Sequence, residues 1–320
     1  MSDSPGTDAV LLPGHFEAPV LGVPIVFRAT SAAVIAAAER AFGLWRSLPA
    51  ALVEPGPPGE VVMIVQALAP DEASLSGTVV TRSHAGALIA AGGGCLLCVQ
   101  PASGSALAFI APEVVADGPR LRREVLERVG LALAGARGRT PLPAGAVVWD
   151  GHALIFSGAD ALLNATLAVG CARAGGALLA AGVVHLGAGR SPILWGHPGT
   201  VRLPSVATNL FPDLPARAAN SESSVLELDA AALGAERLAT HAARATLCLV
   251  ERITGQASYL ERLARDEALG LLARSLAPDP AALALLAALV GKDACWLRVG
   301  ADVGAAVALI GRLAAQGSLR

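Results

Sequence analysis

Lysine is nearly missing from this chain: Lys292 is the only one among 320 residues, so every other fixed positive side chain is an arginine. Charge of either sign is scarce. Charged residues make up 16% and hydrophobic ones 54%, which excludes an intrinsically disordered chain and implies a large apolar interior or an apolar association surface. A net charge of −2 leaves no electrostatic footprint for nucleic acid or an anionic membrane. The arginines that do cluster, Arg120, Arg122, Arg123 and Arg128, alternate with Glu124 and Glu127 and read as a solvated helix face. Long apolar runs are also missing, since Ala281 to Val290 falls far short of the roughly 20 residues that span a bilayer. The first residues, MSDSPGTDAV, carry two aspartates and no basic residue, unlike a secretory leader, so a cytoplasmic location is expected.

The five cysteines, Cys95, Cys98, Cys171, Cys248 and Cys295, are odd in number and lie in apolar surroundings, which suits buried thiols better than a disulfide framework. Cys95 and Cys98 have metal-ligand spacing, but no second Cys or His pair lies nearby in sequence, and on a strand residues three apart point to opposite faces. No Gly-x-Ser-x-Gly nucleophile elbow is present. His15, His84, His152, His185, His197 and His241 are scattered singly and read as structural or exposed. Gly187-Ala188-Gly189-Arg190 comes after a strand, but a serine and a proline come next where a phosphate site would need a helix, so it reads as a loop.

Along the chain, residues 16 to 28 look like one strand broken by prolines, and Ser31 to Trp45 like a helix capped by Ser31. A Pro/Gly-rich turn leads into another strand, and short apolar stretches near 77–81, 86–91, 95–100 and 106–110 make a strand-rich block. Pro112 to Ala136 contains an amphipathic helix with Leu121, Val125, Val129 and Leu133 on one face. The polar GARGRTPLPAG comes next, which sets a domain boundary near residue 137. The remainder opens with two strands around the turn Trp149-Asp150-Gly151-His152 and a helix from about Leu162 to Ala174. Then come a strand at ALLAAGVVHL, a hairpin at SPILWGHPGTVRL, strands near 225–229 and 246–251, helices near 260–290, the strand CWLRV and a last helix from Val303. Strands alternating with helices imply an α/β sheet.

Within this second part, FSGADALLNATLAVG has the context of a phosphate-binding loop: the strand Ala153 to Phe156, a turn starting at Gly158, and helix from Thr166. That loop needs Gly, four residues, Gly, Lys, then Ser or Thr. Laid on Gly158, the pattern finds Leu163 in place of the second Gly, Asn164 in place of the Lys and Ala165 in place of the Mg²⁺-binding hydroxyl. A leucine side chain fills space a phosphate needs, and an amide brings no positive charge. Asp160 is explained as the helix N-cap.

These segments resemble the bacterial HPr serine kinase-like family, P-loop proteins related to the C-terminal half of HPr kinase/phosphorylase. RTPLPAGAVVWDGHALIFSG is similar to the family's strand pair before the loop, ATLAVGCARAGGALLAAGVVHL to its helix and next strand, and ILWGHPGTVRLP with NLFPDL to its next hairpin. CLVERITG and CWLRVGADVGAAVALIGRL resemble its closing strand and last helix, so the likeness covers most of 138–320 and the earlier block more loosely. The departures fall on chemistry. Pro143 stands where the family has a histidine, Asn164 and Ala165 where it has the loop Lys and Ser, and Ala181 and Gly182 where it has an acidic pair that holds Mg²⁺ and acts as base. Its Asn-Gly-Lys-x-Lys segment falls on Asn220, Ser221, Glu222, Ser223 and Ser224. Framework positions such as Gly158, Thr166, Gly175, Trp195, Gly196 and Pro198 remain.

The resemblance implies an α/β fold: an HPr kinase-like domain over 138–320 with a central mixed sheet flanked by helices, after a smaller α+β domain over 1–137. With the electrostatic apparatus of phosphoryl transfer missing, it implies a pseudokinase with no cofactor, no metal and no catalytic residue. Gly158, Leu163, Asn164 and Thr166 are then a vestigial loop. The expected role is a non-catalytic binding or scaffold subunit for a protein partner, such as an enzyme or a homologous kinase-like subunit, in a homo- or hetero-oligomer. The competing expectation is a serine kinase or phosphotransferase of the same family with residual or altered activity on a protein or peptide.

Overall fold

The computed structural model describes residues 12–67, 80–84, 87–188, 191–215, 217–218, 224–276 and 278–315. The chain divides into two compact units, Met1–Arg137 and Gly138–Arg320.

The first unit is built on a sheet of seven strands among the described residues, β1 (Gly14–Val20), β2 (Val23–Ala29), β3 (Gly59–Val65), β4 (Val80–His84), β5 (Ala87–Gly92), β6 (Cys95–Gln100) and β7 (Ser105–Ile110), in the order β1-β2-β3-β7-β6-β5-β4. Phe16, Ala18 and Val20 of β1 alternate with exposed or half-buried neighbours, and so do Val23, Ile25, Phe27 and Ala29 of β2. That period of two buries one sheet face against helix α1 (Ala32–Phe42) and against the helical stretch from Pro112 that ends in α2 (Glu127–Ala136). Leu121, Val125, Val129 and Leu133 are all buried, as their spacing predicts. Residues 16 to 28 are two strands, not one. They turn at Leu21 and Gly22, with φ of 51° and 79°, a backbone that favours Asn or Asp at its first position and is hidden by a leucine. Ser31 precedes α1 but makes no side-chain cap bond.

The second unit carries β8 (Arg139–Pro143), β9 (Gly145–Trp149), β10 (His152–Ser157), helix α3 (Ala161–Arg173), β11 (Ala177–Ala180), β12 (Val183–Gly187), β13 (Ile193–Gly196), β14 (Thr200–Pro204), β15 (Arg217–Ala218), β16 (Val225–Asp229), β17 (His241–Ala242), β18 (Arg244–Arg252), β19 (Tyr259–Ala264), α4 (Arg265–Leu276), α5 (Pro280–Leu289), β20 (Asp293–Val299) and α6 (Val303–Ala315). A mixed six-stranded sheet, β11-β9-β10-β18-β20-β19, holds β10, β18 and β20 in parallel at its centre. β9 and β10 join through Asp150 and Gly151, both at positive φ, the tight turn that the Asp-Gly pair predicts. Strands buried on both faces read as continuous apolar runs, and β10 does. On one face Leu154, Phe156, Cys248, Val250, Cys295 and Leu297 pack with α3, α6 and the three-stranded sheet β14-β16-β15. On the other, Ala153, Ile155, Leu247 and Leu249 pack with α4, α5 and the four-stranded sheet β17-β13-β12-β8. Gly170 of α3 lets that helix approach α6, because a Cβ there would come within 2.6 Å of Val307.

Three sequence expectations change here. ALLAAGVVHL is two strands in two different sheets, broken at Ala181 and Gly182. SPILWGHPGTVRL is no hairpin, because β13 pairs with β12 and β17 while β14 pairs with β16. The segment starting near 260 begins as strand β19, paired to β20, before α4 starts. In each case apolar residues suit either state, and pairing partners distant in sequence decide.

Candidate functional site

β10 ends at Ser157 and α3 starts at Ala161, so only Gly158, Ala159 and Asp160 connect them. The helix therefore begins five residues before Thr166, and Leu163, Asn164 and Ala165 belong to its first turns instead of a wide loop. All three are buried, with Leu163 in the core beside Phe156 and Val250. The N-terminus of a helix presents unpaired N–H groups and partial positive charge, which is what a phosphate would use. Here the chain supplies the anion itself: Asp160 Oδ1 accepts the Leu163 N–H at 2.9 Å, and the Asp160 carbonyl accepts the Asn164 N–H at 3.1 Å. Arg252, at the end of the neighbouring β18, lies 3.5 Å from Asp160 Oδ2.

Asn164 closes the turn from inside. Its amide Nδ2 donates to the Gly158 carbonyl at 3.1 Å, while its Oδ1 is buried without a hydrogen-bond partner among the described residues. Thr166 turns its hydroxyl back onto the Leu162 carbonyl at 2.7 Å. Gly158 has a packing reason of its own, because a Cβ there would lie 2.1 Å from the Val250 carbonyl oxygen. Gly145 is as close on the other side, with a Cβ position 2.5 Å from the Asn164 carbonyl oxygen.

Positions far apart in sequence meet around this turn. Ser157 Oγ donates to the Pro143 carbonyl at 3.2 Å, and the Ala144 N–H donates to the Gly182 carbonyl at 3.0 Å. Pro143, Asn164 and Gly182 thus belong to one neighbourhood, tied by backbone and by Ser157, a residue sequence reasoning passed over. Gly182 is exposed, and Ala181 is packed into the core on the α3 side of the sheet. Asn220, Ser221, Glu222 and Ser223 lie outside the described residues. Lys292 precedes β20, at the end of the sheet where the parallel strands begin, whereas the turn lies where they finish. The single lysine therefore cannot serve the turn.

A second connector at the same sheet edge has the same tripeptide. Gly300-Ala301-Asp302 links β20 to α6, Asp302 Oδ1 accepts the Ala305 N–H at 3.0 Å, and a Cβ on Gly300 would lie 2.3 Å from the Gln256 carbonyl oxygen. Ser258 ties this turn from outside, accepting the Gly300 N–H at 3.0 Å. The repeated Gly-Ala-Asp was visible in the sequence and is the signal that identifies a shared connector.

The cysteines and His152 have structural places. Cys95 is buried on the helix side of its sheet and Cys98 is on the opposite face; burial first, then Glu124, raises the Cys95 thiol above the ordinary range. Cys248 is raised well above it by hydrogen bonding with the Cys295 thiol and by burial, and Cys171 by burial, so these thiols are unreactive. His152 Nε2 lies 2.9 Å from Thr246 Oγ1 across β10 and β18. Among the described residues no group of three or more His, Cys, Asp or Glu could hold a metal ion, and no helix is long and apolar enough to cross a membrane.

No family model and no curated protein matches the chain. Among solved structures it is similar to the HPr(Ser) kinase/phosphatase from Coxiella burnetii, over 56% of this chain and 97% of that one, at 11% identity and a TM-score of 0.32. A likeness this loose carries no residue's role from one chain to the other.

Proposed function

We propose that this protein is a catalytically inactive member of the HPr kinase-like group that works by binding a protein partner, as a scaffold or support subunit in the cytoplasm. One observation supports the reading: at the turn 158–164 Asp160 caps the Leu163 N–H at the helix N-terminus, and Asn164, where a phosphate loop has its lysine, holds the Gly158 carbonyl. Phosphoryl transfer draws its rate from cationic and metal groups aimed at the phosphates. Asn164, Ala165, Ala181 and Gly182 provide neither. Isothermal titration of the whole chain with Mg-ATP is expected to give no binding up to millimolar nucleotide; micromolar affinity, or transfer of labelled phosphate, overturns the reading. The binding role is tested by size exclusion with light scattering, alone and with neighbouring gene products, where a strict monomer throughout speaks against it.

A second reading, a small-molecule or phosphotransferase site of altered chemistry, has one atom in its favour. Asn164 Oδ1 is a buried acceptor without a donor among the described residues, a state that costs about 1–3 kcal/mol and that a hydrogen-bond-donating ligand would relieve. A thermal-shift screen with nucleotides, phosphates and Mg²⁺ separates the two, since a ligand of the native state raises Tm.

A further inference from the structure

The seven-stranded sheet of the first unit is apolar on both faces. Val61, Met63, Ala108 and Leu97 are buried on the side where α1 and the helical stretch ending in α2 pack. Their neighbours in the strands point the other way and are apolar too. The register sets Val62, Leu107, Cys98 and Ile89 side by side across β3, β7, β6 and β5, with Ile64, Phe109 and Leu96 in the adjoining row. These seven are half-buried. A sheet with one face in water alternates apolar with polar residues, whereas near-continuous apolar runs such as VVMIV, ALAFI and CLLCV belong to strands covered on both faces, as β10 is. The block has a polar border. Glu60, Ser105 and Gln100 form the row along one end of the strands, and Arg28 of β2, beside Val62, pairs with Glu60 at 2.8 Å.

We propose that this face docks a second copy of the chain, the two sheets stacking as the layers of a sandwich. An apolar core inside a polar border is the anatomy of a protein–protein interface, and a two-fold pair buries the same patch on both copies. Size and charge favour a second copy. Seven strands about 4.8 Å apart and about five residues deep give a footprint of about 34 Å by about 17 Å, or about 600 Å² per copy. The pair then buries about 1,200 Å², the lower bound of a stable specific interface. Arg28 and Glu60 neutralise each other, so the border draws no strongly charged partner and two copies do not repel. Two sheets of one twist also stack with their strands about 30° apart, about 10 Å from layer to layer. The pairing is independent of the reading of the Gly158 turn, which nucleotide titration tests separately.

Light scattering of the whole chain alone, with maleimide labelling of Cys98 followed by peptide mass, tests this. Cys98 lies inside the block, whereas Cys95, Cys171, Cys248 and Cys295 are buried in the fold. An interface of this size is expected to be half formed on the order of 10 µM, so between about 1 and about 100 µM the mass should double and labelling of Cys98 should slow about 4-fold. Phe109→Glu should hold the chain a monomer whose Cys98 labels at one rate throughout. A parent that stays monomeric over this range, a dimer in which Cys98 labels as fast as in the dilute chain, or a dimer that survives Phe109→Glu overturns the proposal. If Phe109→Glu does not fold, the mass and the Cys98 rates of the parent decide.

Discussion

Two helices leave the same edge of the six-stranded sheet through the same three residues. Gly158-Ala159-Asp160 opens α3 and Gly300-Ala301-Asp302 opens α6; each glycine faces a carbonyl oxygen, and each aspartate accepts the N–H three residues on. The recurrence shows that a glycine turn capped by aspartate joins two parallel strands of this six-stranded sheet, β10 and β20, to the helices that come after them. It is not, by itself, the mark of a lost phosphate site. The first turns of the two helices differ: Asn164 reaches back to Gly158, whereas Ala306 occupies the matching place in α6 and Ser258 secures that turn from another strand's approach.

Substitutions can break this comparison at graded cost. Gly158→Ala and Gly300→Ala should be the most damaging, about 3 kcal/mol each in urea denaturation, because a methyl group cannot share space with a backbone oxygen. Near-equal losses mark the glycines as packing residues; a Gly158→Ala protein as stable as the parent would show that the turn yields. Asn164→Ala should cost about 2 kcal/mol, since it leaves the Gly158 carbonyl without its donor and opens a small void, although it also removes the unpaired Oδ1. A stability gain instead would show that the unpaired oxygen outweighs the tie.

Asp160→Ala and Asp302→Ala should each lower stability by about 1 kcal/mol, and the double substitution by their sum, because each removes one N-cap. A loss at Asp160 several times larger than at Asp302 would break the equivalence. Smallest of all is Arg252→Ala. Its pair with Asp160 is about half exposed, so the expected change is under about 0.5 kcal/mol, checked by the same denaturation.

How much of this was legible in the sequence differs by element. The Asp150-Gly151 hairpin was, since those residue types tolerate positive φ; the Leu21-Gly22 hairpin was not, since leucine rarely does. Helices α2 and α6 are readable from their apolar period. The split of ALLAAGVVHL is not, because Ala and Val fit one long strand as well as two, and only pairing with β9 and β8 separates them. At the site, the residue types at 143, 164, 165, 181 and 182 were readable, and so was the Asp160 cap. The start of α3 was readable as well, since a helix from about Leu162 capped by Asp160 matches the observed start at Ala161; only the overlay of a phosphate-loop pattern, which delays the helix to Thr166, fails. The tie from Asn164 to Gly158 and the convergence of Pro143 with Ser157 depend on folded geometry that no local pattern encodes.

Lys292 carries a last consequence. An amine-directed reagent acting on side chains has a single target, and it stands at the opposite end of the parallel strands from the Gly158 turn. A fluorophore or cross-linker attached there would test for a partner without touching the turn, and would convert the chain's poverty in lysine into a defined handle.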